Sequence, residues 1–245
     1  MNPKTLALGL SLVAASSFAQ TPDAKKLNSD AMDAYKAADW DTAIAKFQGA
    51  IQADPTYALP HYNLACTLSL VRKAGQTCQH EAYRHTIVSE LEKSVKLDPK
   101  RRDRMKKDAD LQSVRDTIGY QKLMGVNPDT KDGLQTLLLN VSWWDKGQGA
   151  FGSIHSLKFL AGGKAKLTEK QMNDEGEMKT VSFDGTWSLE DAKNSLGAPS
   201  FKVRLNLPKR GKDVAKSMTG VFTGTMIDFH DAGMAFLDEP DECSA

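Results

Sequence analysis

The chain has 245 residues, and its 32 lysines and arginines nearly balance 31 aspartates and glutamates. This balance argues against a nucleic-acid-binding protein, which needs a net basic surface to displace counterions. The length is enough for two ordinary domains.

The N-terminal segment, residues 1–19, has the pattern of a secretory signal peptide. Lys4 supplies the positive charge, residues 6–15 form a short apolar run, and Ser17-Phe18-Ala19 is a small-x-small cleavage site, so we expect the mature chain to begin at Gln20. A retained membrane anchor is the alternative, but the run is too short to cross a bilayer, and no later segment reaches about 18 continuous apolar residues. The sequence therefore predicts an exported protein, periplasmic or secreted, without stable membrane insertion. Loss of Lys4 leaves the mature chain neutral.

Three cysteines are present: Cys66, Cys78 and Cys243. The oxidising compartment of an exported protein favours one disulfide, with one thiol left over. Cys66 and Cys78 are close in sequence, which favours a bond between them and leaves Cys243 free. The other two pairings remain possible.

Residues 20–125 are predicted to form a helical domain. Ile44, Phe47 and Ile51 recur at helical spacing, and a second such run ends before Pro99, as the first ends before Pro55. Because proline cannot continue a helix, each Asp-Pro pair predicts a helix end.

Ala43, Phe47, Ala50 and Pro55 follow the spacing A-x3-F-x2-A-x4-P. This pattern resembles the second half of a tetratricopeptide repeat (TPR), a helix-turn-helix unit that stacks to form a peptide-binding surface. The resemblance extends to Tyr62-Asn63-Leu64-Ala65, which is similar to the first helix of a second repeat.

Pro55 and Pro99 lie 44 residues apart, whereas a standard repeat has 34 residues. The second repeat therefore carries about ten extra residues, which we place at 74–83. After it, residues 108–115 resemble the capping segment that closes many bacterial TPR proteins, with Leu111, Val114 and Ile118 covering the last apolar edge.

The TPR resemblance implies that the first helix of each repeat lines a groove that binds a partner. A Cys66–Cys78 disulfide would then tie the insertion over part of this groove. Packing against the insertion or the second domain is the alternative role for the same side chains. The partner-binding residues that the resemblance implies are Lys25, Asn28, Met32, Tyr35, Lys36, Leu59, Tyr62 and Ser69, with Cys66 and Leu70 on the same face.

After a predicted linker at 126–135, residues 136–245 change to a periodicity of two, which indicates strands. Alternation is clear at 137–143 and at 201–207, and glycines at 162–163 and 185 punctuate the pattern. About seven or eight short strands predict an antiparallel barrel or sandwich. The chain is therefore expected to be a two-domain α+β protein.

Three pieces of the β half resemble small lipocalin-like domains of bacterial envelope proteins. They are Leu157-x-Phe159 followed by Gly162-Gly163, then Gly185-Thr186-Trp187, and then the alternating strand that begins at Phe201. The resemblance implies a pocket for a small apolar ligand. A barrel filled by its own side chains is the alternative.

Two motifs suggest chemistry that their surroundings do not support. Gly147–Gly152 matches G-x-G-x-x-G, but the following residues alternate like a strand, whereas a dinucleotide site needs a helix N-terminus. Cys78-x-His80-x4-His85 offers too few ligands for a complete zinc site. We therefore expect no enzyme activity, no cofactor and no metal.

The sequence as a whole predicts a non-catalytic protein–protein interaction module, an adaptor or assembly factor of the cell envelope. A binding protein for an apolar small molecule, centred on the β domain, is the second possibility. A hydrolase with an unrecognised site is the third.

Overall fold

The computed structural model describes residues 21–145, 154–172, 176–193, 199–208, 216–240 and 243. The predicted signal peptide at 1–19 and the glycine-rich motif at 147–152 lie outside these ranges. Within them, helices come first and a closed antiparallel β-barrel follows, so the predicted two-domain α+β architecture is confirmed.

The helical half is built from hairpins that stack side by side: α1 packs on α2, α2 on α3, and α3 on α4. The predicted helix ends before Pro55 and Pro99 are confirmed, because α2 ends at Ala53 and α4 at Leu97. The helices are α1 (Pro22–Lys36), α2 (Trp40–Ala53), α3 (Ala58–Lys73), α4 (Arg84–Leu97), α5 (Arg101–Met105), a 3-10 helix (Ala109–Val114), α6 (Ile118–Leu123) and α7 (Lys131–Asn140).

Side-chain caps and apolar stripes explain these elements. Thr21 Oγ1 accepts a hydrogen bond from the Ala24 N–H at the start of α1, and Asp39 Oδ1 accepts one from the Thr42 N–H at the start of α2. The stripes meet in one apolar cluster whose fully buried members include Phe47, Tyr62, Ile87, Leu91, Met105, Leu111 and Val114.

The expected linker at 126–135 and the expected strand at 137–143 are largely replaced by helix α7. Thr130 caps this helix by accepting a hydrogen bond from the Gly133 N–H at 3.2 Å. Leu134, Leu137 and Leu138 are buried, a spacing of three and four that places them on one helix face. Because Leu137 and Leu138 are adjacent and both buried, a strict alternation does not hold here. The segment is therefore helical until Asn140, and the short strand β1 begins at Trp143.

Among the residues that the structure describes, eight strands form a closed meander in which each strand pairs with the next and β1 pairs with β8. The prediction of seven or eight antiparallel strands is therefore confirmed, in the barrel form. The strands are β1 (Trp143–Asp145), β2 (Ile154–Leu160), β3 (Lys164–Met172), β4 (Met178–Lys193), β5 (Pro199–Leu207), β6 (Lys216–Phe222), β7 (Met226–Phe229) and β8 (Met234–Leu237).

The barrel interior is filled by the chain's own side chains. Trp143, Phe159, Phe229 and Phe236 are almost completely buried in one cluster, and the buried leucines of α7 join it. Trp143 Nε1 donates to the Leu138 carbonyl, which fastens α7 to the first strand. Large aromatic groups inside a small barrel leave little room for a ligand along its axis.

Two of the predicted glycine breaks differ in kind. Gly162 and Gly163 have φ values of 72° and 71° and form the turn between β2 and β3, as expected. Gly185, in contrast, lies inside β4, where a Cβ would meet the Asn206 carbonyl oxygen of β5 at 2.5 Å. A close approach of two strands therefore explains this glycine.

Over the part of the chain that the structure describes, none of the helices combines the length and apolarity needed to span a membrane.

Candidate functional site

The predicted partner-binding residues all lie on α1 and α3, but they differ in accessibility. Lys25 and Lys36 are exposed, whereas Met32 and Leu59 are half-buried. The remaining four, Asn28, Tyr35, Tyr62 and Ser69, are engaged by other parts of the chain.

Asn28 joins the two helices. Asn63 Nδ2 of α3 donates to Asn28 Oδ1 of α1 at 3.0 Å, and both side chains are buried. A buried amide that lost this partner would leave an unsatisfied polar group, so Asn28 stabilises the helix stack.

The chain's own 108–114 segment covers three residues of the predicted face, Tyr35, Tyr62 and Ser69. Tyr62 Oη donates to Asp108 Oδ2 at 2.7 Å, Ser69 Oγ lies 2.7 Å from Ser113 Oγ, and Tyr35 Oη donates to Asp110. The segment also contributes Leu111 and Val114, both fully buried, to the helical core. Displacing the segment from α3 would expose both side chains to water, at a cost of about 1.5–3 kcal/mol each, so the segment is a stable cover.

The cluster beneath this cover is a buried network of hydroxyl, thiol and carboxylate groups. Burial and the neighbouring carboxylates raise the pKa of Tyr35 and of Tyr62, so both hydroxyls remain protonated donors. Burial, together with Asp108 and Asp110, also raises the pKa of Cys66. The Cys66 thiolate is therefore disfavoured, and this thiol is unsuited to act as a nucleophile.

Cys66, Asp108 and Asp110 have ligand atoms within 4.8 Å of one another, a grouping that could hold a metal ion by residue type. Both carboxylates already accept hydrogen bonds from tyrosines, and Arg104 Nε lies 3.7 Å from Asp108 Oδ2. Arg104 also lies over the Tyr62 ring at 5.1 Å. The cluster is satisfied by the protein itself and gives no separate reason to expect a cation.

The expected disulfide between Cys66 and Cys78 is wrong. Cys78 is bonded to Cys243, with Cα atoms 5.6 Å apart, and Cys66 is a buried free thiol. The prediction from sequence proximity failed because the two side chains lie in different places. Cys66 is part of the helical core, whereas Cys78 lies in the exposed insertion and contacts Cys243.

The junction between helices and barrel was not predicted from the sequence. After β8, Glu239 accepts hydrogen bonds from the backbone N–H groups of Arg84 (2.6 Å) and His85 (3.2 Å), at the start of α4. Asp238 Oδ2 accepts one from the Ile118 N–H, at the start of α6, at 2.7 Å. Two acidic residues from the barrel thus cap two helices of the other half, where negative charge is favoured.

Arg84 ties the same junction together from within, with only 6% of its surface exposed. Its guanidinium donates to the carbonyl oxygens of Asp238 (2.7 Å) and Ser113 (3.3 Å) and to the carboxylate of Asp116. Burial lowers the pKa of Arg84, and the charge of Asp116 opposes this change. A buried, paired charge of this kind resists rearrangement of the junction.

A second polar cluster lies on the barrel. His155, two residues before the buried Leu157 in β2, has Nδ1 2.9 Å from Asp145 Oδ2 and Nε2 3.5 Å from Glu169 Oε1. The hydrogen bond to Asp145 raises the pKa of His155. The two carboxylates lie on opposite ring nitrogens, so one metal ion bound to the ring would not reach both. The cluster is suited to hold an imidazolium.

No protein-family model matches this sequence, and a search of curated proteins finds no significant match. Any function assigned to the chain therefore depends on the geometry described above.

Proposed function

We propose that this chain is an exported, non-catalytic protein–protein interaction protein, an adaptor or assembly factor of the cell envelope. It binds a peptide or helix of its partner on α1 and the first turn of α3. The observation that carries the proposal is the stack of α1–α2 and α3–α4 hairpins, which leaves part of the expected partner face at the surface. This stacking also supports the TPR resemblance.

The binding surface in this proposal is smaller than the full groove. Tyr35, Tyr62 and Ser69 are tied to the 108–114 segment, and Asn28 is internal, so they support the surface from beneath. The accessible part of the face consists of Lys25, Met32, Lys36 and Leu59.

The chemistry of this surface indicates the partner. Lys25, Met32 and Lys36 are spaced by seven and four residues, which places them along one face of α1. Methionine is an adaptable contact residue, and the two lysines favour a partner with acidic side chains beside an apolar one. This proposal is compatible with the near-neutral charge of the whole chain, because only a local patch needs to be basic.

Site-specific photo-cross-linking in the organism that produces the protein tests this proposal. A photoreactive amino acid at Met32 or Leu59 is expected to capture the same discrete polypeptide, and the combined changes Lys25→Glu and Lys36→Glu are expected to abolish that product. The matched control carries the photoreactive group at Gln52, an exposed position of α2. Equal products from Met32 and Gln52, or none from Met32 and Leu59, would contradict the proposal.

An apolar ligand inside the barrel, the alternative that the sequence left open, gains no support from the packing. Trp143, Phe159, Phe229 and Phe236 occupy the barrel core. A ligand on the barrel axis would have to displace these side chains.

A further inference from the structure

A cleft of about 550 Å³ lies at the junction of the two halves, between the 3-10 helix, the end of α7 and the end of β2. Its size is in the range of small-molecule sites, and such sites occur preferentially where domains meet. Its lining includes Ser113, Arg115, Leu139, Ser142, Lys158 and Leu160.

Arg115 lines the cleft and carries a guanidinium whose hydrogen bonds go to backbone carbonyls. Its Nη2 donates to two backbone carbonyls, those of Asp108 at 2.9 Å and Lys106 at 3.3 Å, while its buried Nε has no hydrogen-bond partner. These bonds hold the guanidinium in place without supplying a counter-charge. A fixed guanidinium is well suited to bind a carboxylate or a phosphate group.

Lys158 adds a second positive charge from the barrel side. It lies directly opposite Lys166 of β3, an arrangement of like charges that destabilises a strand pair. In the described part of the chain, neither Arg115 nor Lys158 forms an ion pair with a carboxylate. Asp116 also lines the cleft, but its charge is already paired with that of Arg84.

The remaining walls combine polar residues with apolar surface. Ser142 is the polar residue of these walls, since the Ser113 hydroxyl is bonded to Ser69, and Leu160, one of the few large apolar side chains exposed among the described residues, is 42% accessible. The Arg84 contacts and the caps from Asp238 and Glu239 fix the helical wall against the barrel wall. A cleft whose walls are fixed in advance loses less entropy when it binds a ligand.

We propose that this cleft binds a small organic anion, a carboxylate or phosphate monoester carried on an apolar group. The anionic group contacts Arg115 and Lys158, and the apolar group lies against Leu139 and Leu160. The site is separate from the partner-binding face on α1, so either proposal can fail without the other.

Calorimetric titration of the intact, oxidised protein with sodium octanoate and with octyl phosphate tests the site. Saturable binding of at least one of these probes is expected, because a charge-assisted contact and an apolar contact act together. Lys158→Gln is expected to weaken binding about tenfold, the usual effect of removing a hydrogen bond to a charged group. Arg115→Gln is expected to have at least the same effect.

Lys202→Gln is the matched control, because Lys202 is an exposed lysine of β5 outside the cleft. It should leave the affinity unchanged, and Lys158 is exposed enough for its substitution to leave the fold intact. The proposal is overturned if neither probe binds at about millimolar concentration, or if 1-octanol binds as tightly as octanoate. Binding of inorganic phosphate but of neither organic anion, or affinity unchanged by Lys158→Gln, would also overturn it.

Discussion

His155 shows how a single residue of the barrel couples stability to protonation. Its ring nitrogens face Asp145 and Glu169, and all three side chains are largely buried. The hydrogen bond to Asp145, opposed by burial, raises the pKa of His155 above its ordinary value of 6.5. The folded chain therefore holds this proton more tightly than the unfolded chain does.

The corresponding prediction concerns the substitution His155→Gln. The stability advantage of the parent protein over this variant should be complete below about pH 6.5, the unfolded pKa, and should decline as the pH rises through the folded pKa of His155. Urea denaturation of both proteins across this range measures the difference, and an NMR titration of the ring gives the folded pKa directly. A difference that grows with rising pH would contradict the assignment.

At the same scale, the cysteines show what residue spacing alone could not establish. The presence of one disulfide and one free thiol was correctly expected. The pairing depended on which way α3 turned Cys66, and that is decided by its packing against Asp108 and the helical core. Proximity in sequence carries no information about such an orientation.

At the scale of elements, α4 receives its N-terminal cap from a residue 155 positions away in sequence. Glu239 accepts hydrogen bonds from the Arg84 and His85 N–H groups, and its side chain also contacts His85 Nδ1 at 2.6 Å. Tyr83, the residue that precedes the helix, offers no side-chain cap. The start of α4 thus depends on the barrel being folded.

We predict that Glu239→Ala lowers the free energy of unfolding by about 1 kcal/mol, the usual cost of losing a cap. Hydrogen exchange at the Arg84 and His85 amides should accelerate at the same time, because both donors lose their acceptor. Asp231→Ala, which removes an exposed carboxylate from the turn between β7 and β8, is the comparison and should change neither quantity. Unchanged exchange at α4 in the Glu239 variant would rule out the capping role.

The elements themselves were largely predictable from local patterns, with one instructive exception. Strict alternation at 201–207 and the proline-terminated helical runs gave the correct structures, because their buried faces match a single period. The segment from Leu134 to Trp143 contains apolar residues that fit both periods. The Thr130 cap and the adjacent buried leucines Leu137 and Leu138 favour a helix over most of this segment, which forms α7.

For the molecule as a whole, the disulfide joins residues 165 positions apart and closes a loop that contains all eight strands of the barrel described above. We predict that Cys243→Ser lowers the free energy of unfolding by about 2–5 kcal/mol, chiefly by enlarging the unfolded ensemble. Urea denaturation with and without reductant is the measurement. Reductant should destabilise the parent protein and leave the variant unaffected, and a non-reduced peptide map that joins Cys66 to Cys78 would refute the pairing.

The arrangement of the whole molecule was the least accessible to sequence reasoning. The change from helical spacing to a periodicity of two along the sequence predicts that a helical half precedes a β half. Three sets of contacts depend on residues that are far apart in sequence. They are the 108–114 cover, the Arg84 contacts, and the caps from Asp238 and Glu239, and they join residues 29 to 155 positions apart. Polar residues at such distances leave no periodic signal, so only the folded chain brings Asp108 or Glu239 to their partners.

The position of Cys243 also bears on the order of events during biosynthesis. A polypeptide leaves the ribosome N-terminus first, so α3 and the insertion with Cys78 emerge long before Cys243 does. During this interval Cys66 is the nearest thiol in sequence with which Cys78 could react wrongly. Once the 108–114 segment, which also precedes Cys243 in the chain, has packed on α3, burial together with Asp108 and Asp110 raises the pKa of Cys66 and disfavours its thiolate. We therefore expect the burial of Cys66 to disfavour a wrong disulfide with Cys78 during the interval before Cys243 is available.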